Sequence, residues 1–239
     1  MKNAIVTGGT KGIGLAIAKM LLKEEYFVTI TYAHDDKAAE TCQKELNKIS
    51  KHFEVLKINQ ASKEDMKSFT LLMNEKPHID CLILNTGSTL RKQLQDISDA
   101  DWEEIMHINL NSNVYLIRDL FNKIPSHSRI IFIGSLMAIH PHGTSLAYGV
   151  TKSAIHALSK NLVKCFEGTG TTVNTIAPGF VETEWQKEKP QDIRNNIYNK
   201  TALKRFATVE EIADAVKFCI NNSFINGSTI EVSGGYSYK

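Results

Sequence analysis

Asn3-Ala4-Ile5-Val6-Thr7-Gly8-Gly9-Thr10-Lys11-Gly12-Ile13-Gly14 joins a short apolar run to spaced glycines and then to a helical pattern. Asn3 to Thr7 reads as a brief buried strand. Gly12 to Lys23 follows a helical period, with Ile13, Ile17, Met20 and Leu21 on one face. Glycines at 8, 12 and 14 permit a tight turn, close approach of the backbone to a pyrophosphate, and close packing of helix on strand. The helix start then offers free N–H groups and a partial positive charge to an anion. The spacing is GxxxGxG, not GxGxxG, so it matches the general dinucleotide motif in mechanism and not in letter.

The same strand-then-helix rhythm continues along the chain. Further strands are expected at Tyr26 to Tyr32, Phe53 to Ile58, Asp80 to Asn85, Arg129 to Gly134, Thr172 to Ala177 and Ser228 to Val232. Helices are expected at Lys37 to Ile49, Lys63 to Asn74, Asp101 to Phe121, Ala147 to Phe166 and Val209 to Ile220. Strands alternating with helices of ten or more residues imply an α/β chain. Residues 1–239 are read as one domain, a doubly wound Rossmann-type parallel sheet of about seven strands with helices on both faces. Only Glu182 to Lys200 breaks the rhythm. It is polar, contains Pro190, and is too long for a simple connection, so it reads as a helical insertion beside the ligand crevice, a substrate lid.

Composition narrows the classes of function. The chain has 239 residues, 42% hydrophobic and 23% charged, with a formal net charge of +2. That apolar content and balanced charge exclude disorder. No stretch concentrates Lys or Arg into a phosphate-tracking stripe, which excludes a dedicated nucleic-acid binder. No apolar run approaches the ~20 residues of a bilayer span, and the N-terminal run reaches glycine too soon for a signal-peptide core, so no membrane role and a cytoplasmic address are expected. Cys42, Cys81, Cys165 and Cys219 are scattered, and His140 and His142 lack a third ligand at matching spacing; no metal is expected.

The second strand decides which dinucleotide. An NAD binder usually carries Asp or Glu at its tip, where the acid takes the ribose hydroxyls and repels a 2′-phosphate. Here the tip reads Tyr32-Ala33-His34, and Asp35 and Asp36 look like the opening of the next helix. With Lys11 adding a cation inside the glycine turn, NADP(H) is favoured and NAD(H) remains possible; an Asp35 folded back to the ribose would reverse the preference.

Tyr148-Gly149-Val150-Thr151-Lys152 carries the chemistry. A separation of four puts Tyr148 and Lys152 on one helix face. An ammonium beside the phenol is expected to lower its pKa, making Tyr148 a general acid in carbonyl reduction and a base in the reverse direction. Ser135 ends the fifth strand, where a hydroxyl faces the crevice and can bond a carbonyl. An isolated YxxxK would more often be two unrelated surface residues; Ser135 changes that balance.

Together the glycine turn, Ser135…Tyr148xxxLys152, Asn85-Thr86-Gly87, Asn109 and Pro178-Gly179 resemble the short-chain dehydrogenase/reductase family over essentially the whole chain. Within it, Val173 to Thr183, Ile133-Gly134-Ser135 and Leu203 to Phe206 are similar to the group of 3-oxoacyl-[acyl-carrier-protein] reductases. That resemblance implies NADPH-dependent reduction of a 3-oxoacyl thioester to the 3-hydroxyacyl product. Alternatives are another ketone, a sugar or a secondary alcohol as substrate, and, remotely, a catalytically silent nucleotide sensor. It implies Tyr148 as proton donor, Ser135 orienting the carbonyl, Lys152 on Tyr148 and the nicotinamide ribose, and Asn109 holding a water that links Lys152 to a proton relay. It places Gly8, Thr10, Lys11, Gly12, Ile13 and Gly14 at the pyrophosphate, Tyr32, Ala33 and His34 at the ribose, and Asn59 and Gln60 near the adenine. Asn85, Thr86 and Gly87 would line the cofactor, with Pro178, Gly179, Val181 and Thr183 at its nicotinamide end. It further implies a homotetramer, for which the Tyr115-Leu116 and Phe218 regions are apolar enough. An acyl carrier would need a basic rim, with Arg129, Lys187, Lys189 and Lys204 as candidates. Leu84-Asn85-Thr86-Gly87 in place of Asn-Asn-Ala-Gly, the shorter 220–227 segment and the 137–142 loop depart from the group's pattern.

Overall fold

A computed structural model describes residues 1–141, 145–187 and 189–236. His142, named above, lies outside them. Seven strands form one parallel sheet: β1 Asn3–Val6, β2 Phe27–Tyr32, β3 Phe53–Lys57, β4 Cys81–Leu84, β5 Arg129–Ile133, β6 Thr172–Pro178 and β7 Thr229–Val232. Their spatial order is β3-β2-β1-β4-β5-β6-β7. The chain builds outward from β1 to β3, returns to β4, and builds outward the other way. The reversal lies between β1 and β4, where such sheets open a crevice at their carboxyl ends. In register, Ile5 lies beside Thr29 on one side and Leu82 on the other, so the β1 and β4 tips end side by side.

Nine helices among the described residues cover the sheet: α1 Gly12–Lys23, α2 Asp36–Leu46, α3 Lys63–Glu75, α4 Asp99–Met106, α5 Ser112–Asp119, α6 Leu146–Leu162, α7 Glu184–Lys187, α8 Gln191–Asn199 and α9 Val209–Asn221. β4 and β6 are buried at every position, as continuous apolar runs under two helical layers must be. One core packs Ile17 and Leu21 of α1 and Val216 of α9 against Val28 and Ile83. The other packs Phe69 of α3 and Leu116 of α5 against Leu82 and Phe132.

One expected element differs, and the expected insertion after β6 is helical. The long helix from Asp101 to Phe121 is interrupted by a wide, π-type turn at His107–Asn111. One such turn rotates the following residues and is common at functional sites; here it brings Asn109 inside, 1% exposed. The segment after β6 forms α7 and α8, tied down when Arg194 grips the Glu182 carboxylate at 3.1 and 2.6 Å.

Candidate active site

The crevice floor is laced across the β1–β4 junction. Thr7 Oγ1 accepts the N–H groups of Asn85 and Thr86, and Asn85 Nδ2 donates to the carbonyls of Thr7 and Gly8 at 2.9 Å each. Gly14 permits this closeness: a Cβ there would lie 2.5 Å from the Gly8 carbonyl oxygen and 2.6 Å from Asn85 Nδ2. Gly12 adopts φ 55°, a conformation that disfavours side chains. Helix α1 begins without a side-chain cap and without an acid in its first turn. By contrast, α4 and α9 open with complete capping boxes, Ser98 with Asp101 and Thr208 with Glu211. The α1 amides are therefore left for an anion.

Two cavities meet over this floor. One, of about 520 Å³, is lined by Gly8, Thr10, Lys11, Tyr32, Ala33, His34, Asn59, Gln60, Asn85, Thr86 and Gly87. The other, of about 470 Å³, is lined by Ile13, Ser135, Tyr148, Lys152, Pro178, Gly179, Val181 and Thr183. Asn85, Gly87 and Ser88 belong to both. Gly12 and Gly14 shape the turn between them. The arrangement fits an elongated dinucleotide with an anionic middle. The donor set agrees, because Gln60 Oε1 is buried on the first cavity without a hydrogen-bond partner, an acceptor suited to a ring amino group.

At the outer rim, Asp35 does two jobs. One oxygen caps α2 by accepting the Ala38 N–H at 2.9 Å, and the other takes Lys11 Nζ at 2.9 Å. The cap bond, and then Lys11, hold its carboxyl below the usual carboxylate range. Asp36 is bound by Lys57 and by the Tyr32 hydroxyl. Neither acid is a bare carboxylate at the tip of β2, although Asp35 itself lines the outer cavity beside His34.

In the inner cavity, Tyr148 and Lys152 project from α6 and Ser135 from the end of β5. The Ser135 hydroxyl, which accepts the Met137 N–H at 3.1 Å, lines this cavity with the Tyr148 hydroxyl and favours its ionised form. Lys152 is 4% exposed and donates to the Ile133 carbonyl at 2.7 Å, with its Nζ 5.7 Å from the Tyr148 ring centre. The expected depression of the Tyr148 pKa by Lys152 is not what this geometry produces. Burial disfavours both charged forms: the Tyr148 phenol is pushed up, opposed by the Ser135 hydroxyl, and the Lys152 ammonium falls to about 8. A phenol held protonated is a donor, which is the form carbonyl reduction requires.

Asn109 stands behind the cavity. Its side chain accepts the Ser88 N–H at 2.7 Å and donates to the Ser88 carbonyl and to Thr151 Oγ1, while its own carbonyl accepts from Asn113 Nδ2. It thus braces the wall between β4 and α6. His156, four residues after Lys152 on the same helix, was not anticipated. Its Nε2 accepts the Ser135 N–H at 3.4 Å, and burial, then the Lys152 and Lys160 charges, push its pKa down to about 4, so it stays a neutral acceptor. The spacing of four from Lys152 was the available signal. Gln186, on α7, also lines the inner cavity; it lies in the polar insertion, where no periodicity marks it.

Two other expectations are corrected. Arg129 opens β5 at the amino end of the sheet, away from the crevice, and donates to the Ile220 carbonyl, so it forms no part of a basic rim. Leu116 is fully buried, leaving Tyr115 and Phe218 as the exposed apolar residues of the regions named for assembly. No helix among the described residues is long and apolar enough to cross a membrane.

A family model described as enoyl-(acyl carrier protein) reductase matches residues 8–237. The 3-oxoacyl-[acyl-carrier-protein] reductase of Aquifex aeolicus is 30% identical, covering 98% of this chain and 96% of its own. That of Escherichia coli is 31% identical, with the same coverage. Among solved structures, a short-chain dehydrogenase/reductase from Serratia marcescens superimposes with a TM-score of 0.92 at 26% identity, covering 99% of this chain and 98% of its own.

Proposed function

We propose, from the premise that this chain belongs to the short-chain dehydrogenase/reductase family of oxidoreductases, that it reduces the keto group of a 3-oxoacyl thioester with NADPH, giving the 3-hydroxyacyl product. The observation that carries this reading is the hydroxyl pair of Ser135 and Tyr148 beside buried Lys152 in one cavity. Two hydroxyls converging there can serve one carbonyl oxygen. A reduced nicotinamide, when bound, supplies the hydride. Ser135 orients the carbonyl oxygen, and Tyr148 gives it a proton. Lys152 serves Tyr148 and the ribose, and Asn109 positions the wall and a water on the way to Lys152. His156 holds the backbone of Ser135.

For the cofactor, the turn from Gly8 to Gly14 takes the pyrophosphate, and Asn59 with Gln60 takes the adenine. Tyr32, Ala33, His34 and Lys11 surround the 2′-phosphate, and Pro178, Gly179, Val181 and Thr183 take the carboxamide end. NADPH is favoured because Asp35 is engaged as a helix cap, with Lys11 drawn up beside it. Residues 182–200 act as a substrate lid on the single domain, since Gln186 reaches the inner cavity from that segment. A homotetramer is supported by exposed Tyr115 and Phe218.

An NADPH-oxidation assay tests the reading with an acetoacetyl thioester beside a crotonyl thioester, a panel of sugars and simple ketones, each repeated with NADH. The acetoacetyl thioester with NADPH is expected to give the highest kcat/KM. A higher value for the crotonyl thioester, where a C=C bond is reduced, or for a sugar overturns it.

A further inference from the structure

Gln186 is 7% exposed, yet its side chain makes no hydrogen bond among the described residues, and its Oε1 is wholly buried. It lines the same cavity as Ser135, Tyr148 and Lys152. A desolvated amide oxygen without a partner is costly, and in native proteins such groups call for an explanation. Slack in the main chain does not supply one. The Gln186 N–H donates to the Thr183 carbonyl at 2.8 Å, and its own carbonyl accepts from Arg194 Nη1 at 2.8 Å. Arg194 is itself locked onto the Glu182 carboxylate and the Tyr198 hydroxyl. The Glu182–Arg194 clamp and the Thr183 carbonyl therefore hold the Gln186 main chain at the cavity wall, while its side-chain Oε1 is left without a partner.

We propose that the Gln186 side chain is a specificity-determining group for the carbonyl substrate, hydrogen-bonding a substrate group that both donates and accepts, a secondary amide or a hydroxyl. A substrate with such a group satisfies both ends of the amide. An apolar arm of the same length leaves a buried amide stranded as water is expelled. Sites built to hydrogen-bond a substrate group reject analogues lacking it far more strongly than apolar pockets reject a change of size. This inference rests on the reductase reading above and names a feature of its substrate.

The test compares matched substrates on wild type and Gln186→Met. The N-acetylcysteamine thioester of acetoacetate carries a secondary amide, and the S-pentyl thioester replaces that arm with hydrocarbon. Hydroxyacetone and 2-butanone form the corresponding hydroxyl pair. In one pair, kcat/KM for the polar member is expected to fall on the order of tenfold in Gln186→Met, with the polar-to-apolar ratio falling at least as far. NADPH affinity, read by fluorescence quenching, and melting temperature are expected to hold. Which pair responds tells an amide from a hydroxyl. Unchanged ratios in both pairs overturn the proposal, as does a parallel loss for both members with weakened NADPH binding, which would place Gln186 on the cofactor. Gln186→Leu repeats the comparison should the Met variant fold poorly. If wild type reduces neither thioester, the 3-oxoacyl reading fails by itself, and the hydroxyacetone pair still decides the role of Gln186.

Discussion

In the outer half of the crevice Lys11 and Asp35 meet at 2.9 Å with side chains 63% and 46% exposed; in the inner half Lys152 is 4% exposed and donates to a main-chain carbonyl. Water stabilises the outer charges whether or not they touch, so their pairing contributes little to the fold and is easily exchanged for a ligand phosphate. The inner charge has lost its water, and burial has moved the Lys152 pKa down to about 8 while raising that of Tyr148. One half can therefore select a ligand with charges that solvent already stabilises. The other tunes proton affinity through burial, at a cost in stability.

The largest expected effect tests the inner half. Tyr148→Phe removes the proposed proton donor while keeping the ring, and kcat should fall by about 10² to 10⁴. NADPH affinity measured by fluorescence titration should be unchanged. Turnover surviving at the wild-type rate would move the acid elsewhere and dissolve the contrast.

A smaller effect lies in the pH dependence of stability. Lys152 has a folded pKa near 8, below the usual lysine value of 10.5. Burying the ammonium thus costs stability, fully so below pH 8. Between about 8 and 10.5 the unfolded chain binds a proton that the folded chain has released, so this group makes stability rise with pH, by at most about 1.4 kcal/mol per pH unit. Lys152→Met should lack that contribution. Urea denaturation at pH 7, 8.5 and 10 compares the two, and parallel profiles would show that Lys152 is not desolvated as described.

The smallest stability effect belongs to the outer half. Lys11→Ala should leave the melting temperature nearly unchanged, because the pair is exposed and solvent already screens it. It should weaken NADPH binding by roughly tenfold and leave NADH binding alone, as loss of one charge-assisted phosphate contact predicts. Equal losses for the two cofactors, measured by calorimetry, would mean that Lys11 shapes the turn instead of reading the phosphate.

Much of this was legible along the chain because it depends on neighbours in sequence. The strand, glycine turn and helix from Asn3 to Lys23, the alternation that follows, and the four-residue spacing of Tyr148 and Lys152 are local periodicities, and the structure keeps them. The failures share a cause. Arg129 looked like a rim cation because sequence gives a strand's residues but not which end of the sheet each one faces. The wide turn at His107–Asn111 is invisible in a helical pattern, since one inserted residue changes direction without changing composition. Gln186 sits in a polar stretch with no period at all.

The sequence by itself determined the order of elements, the glycine turn and the candidate site side chains Tyr148 and Lys152, because each is specified within a few residues. Only the tertiary structure decided how those groups are charged and what faces them. The depth of Lys152, the opposing drifts of the Lys152 and Tyr148 pKa values, the capping of α2 by Asp35 and the stranded amide of Gln186 all arise where distant segments exclude water from one another. Desolvation is a property of the packed assembly, and no stretch of chain carries it alone.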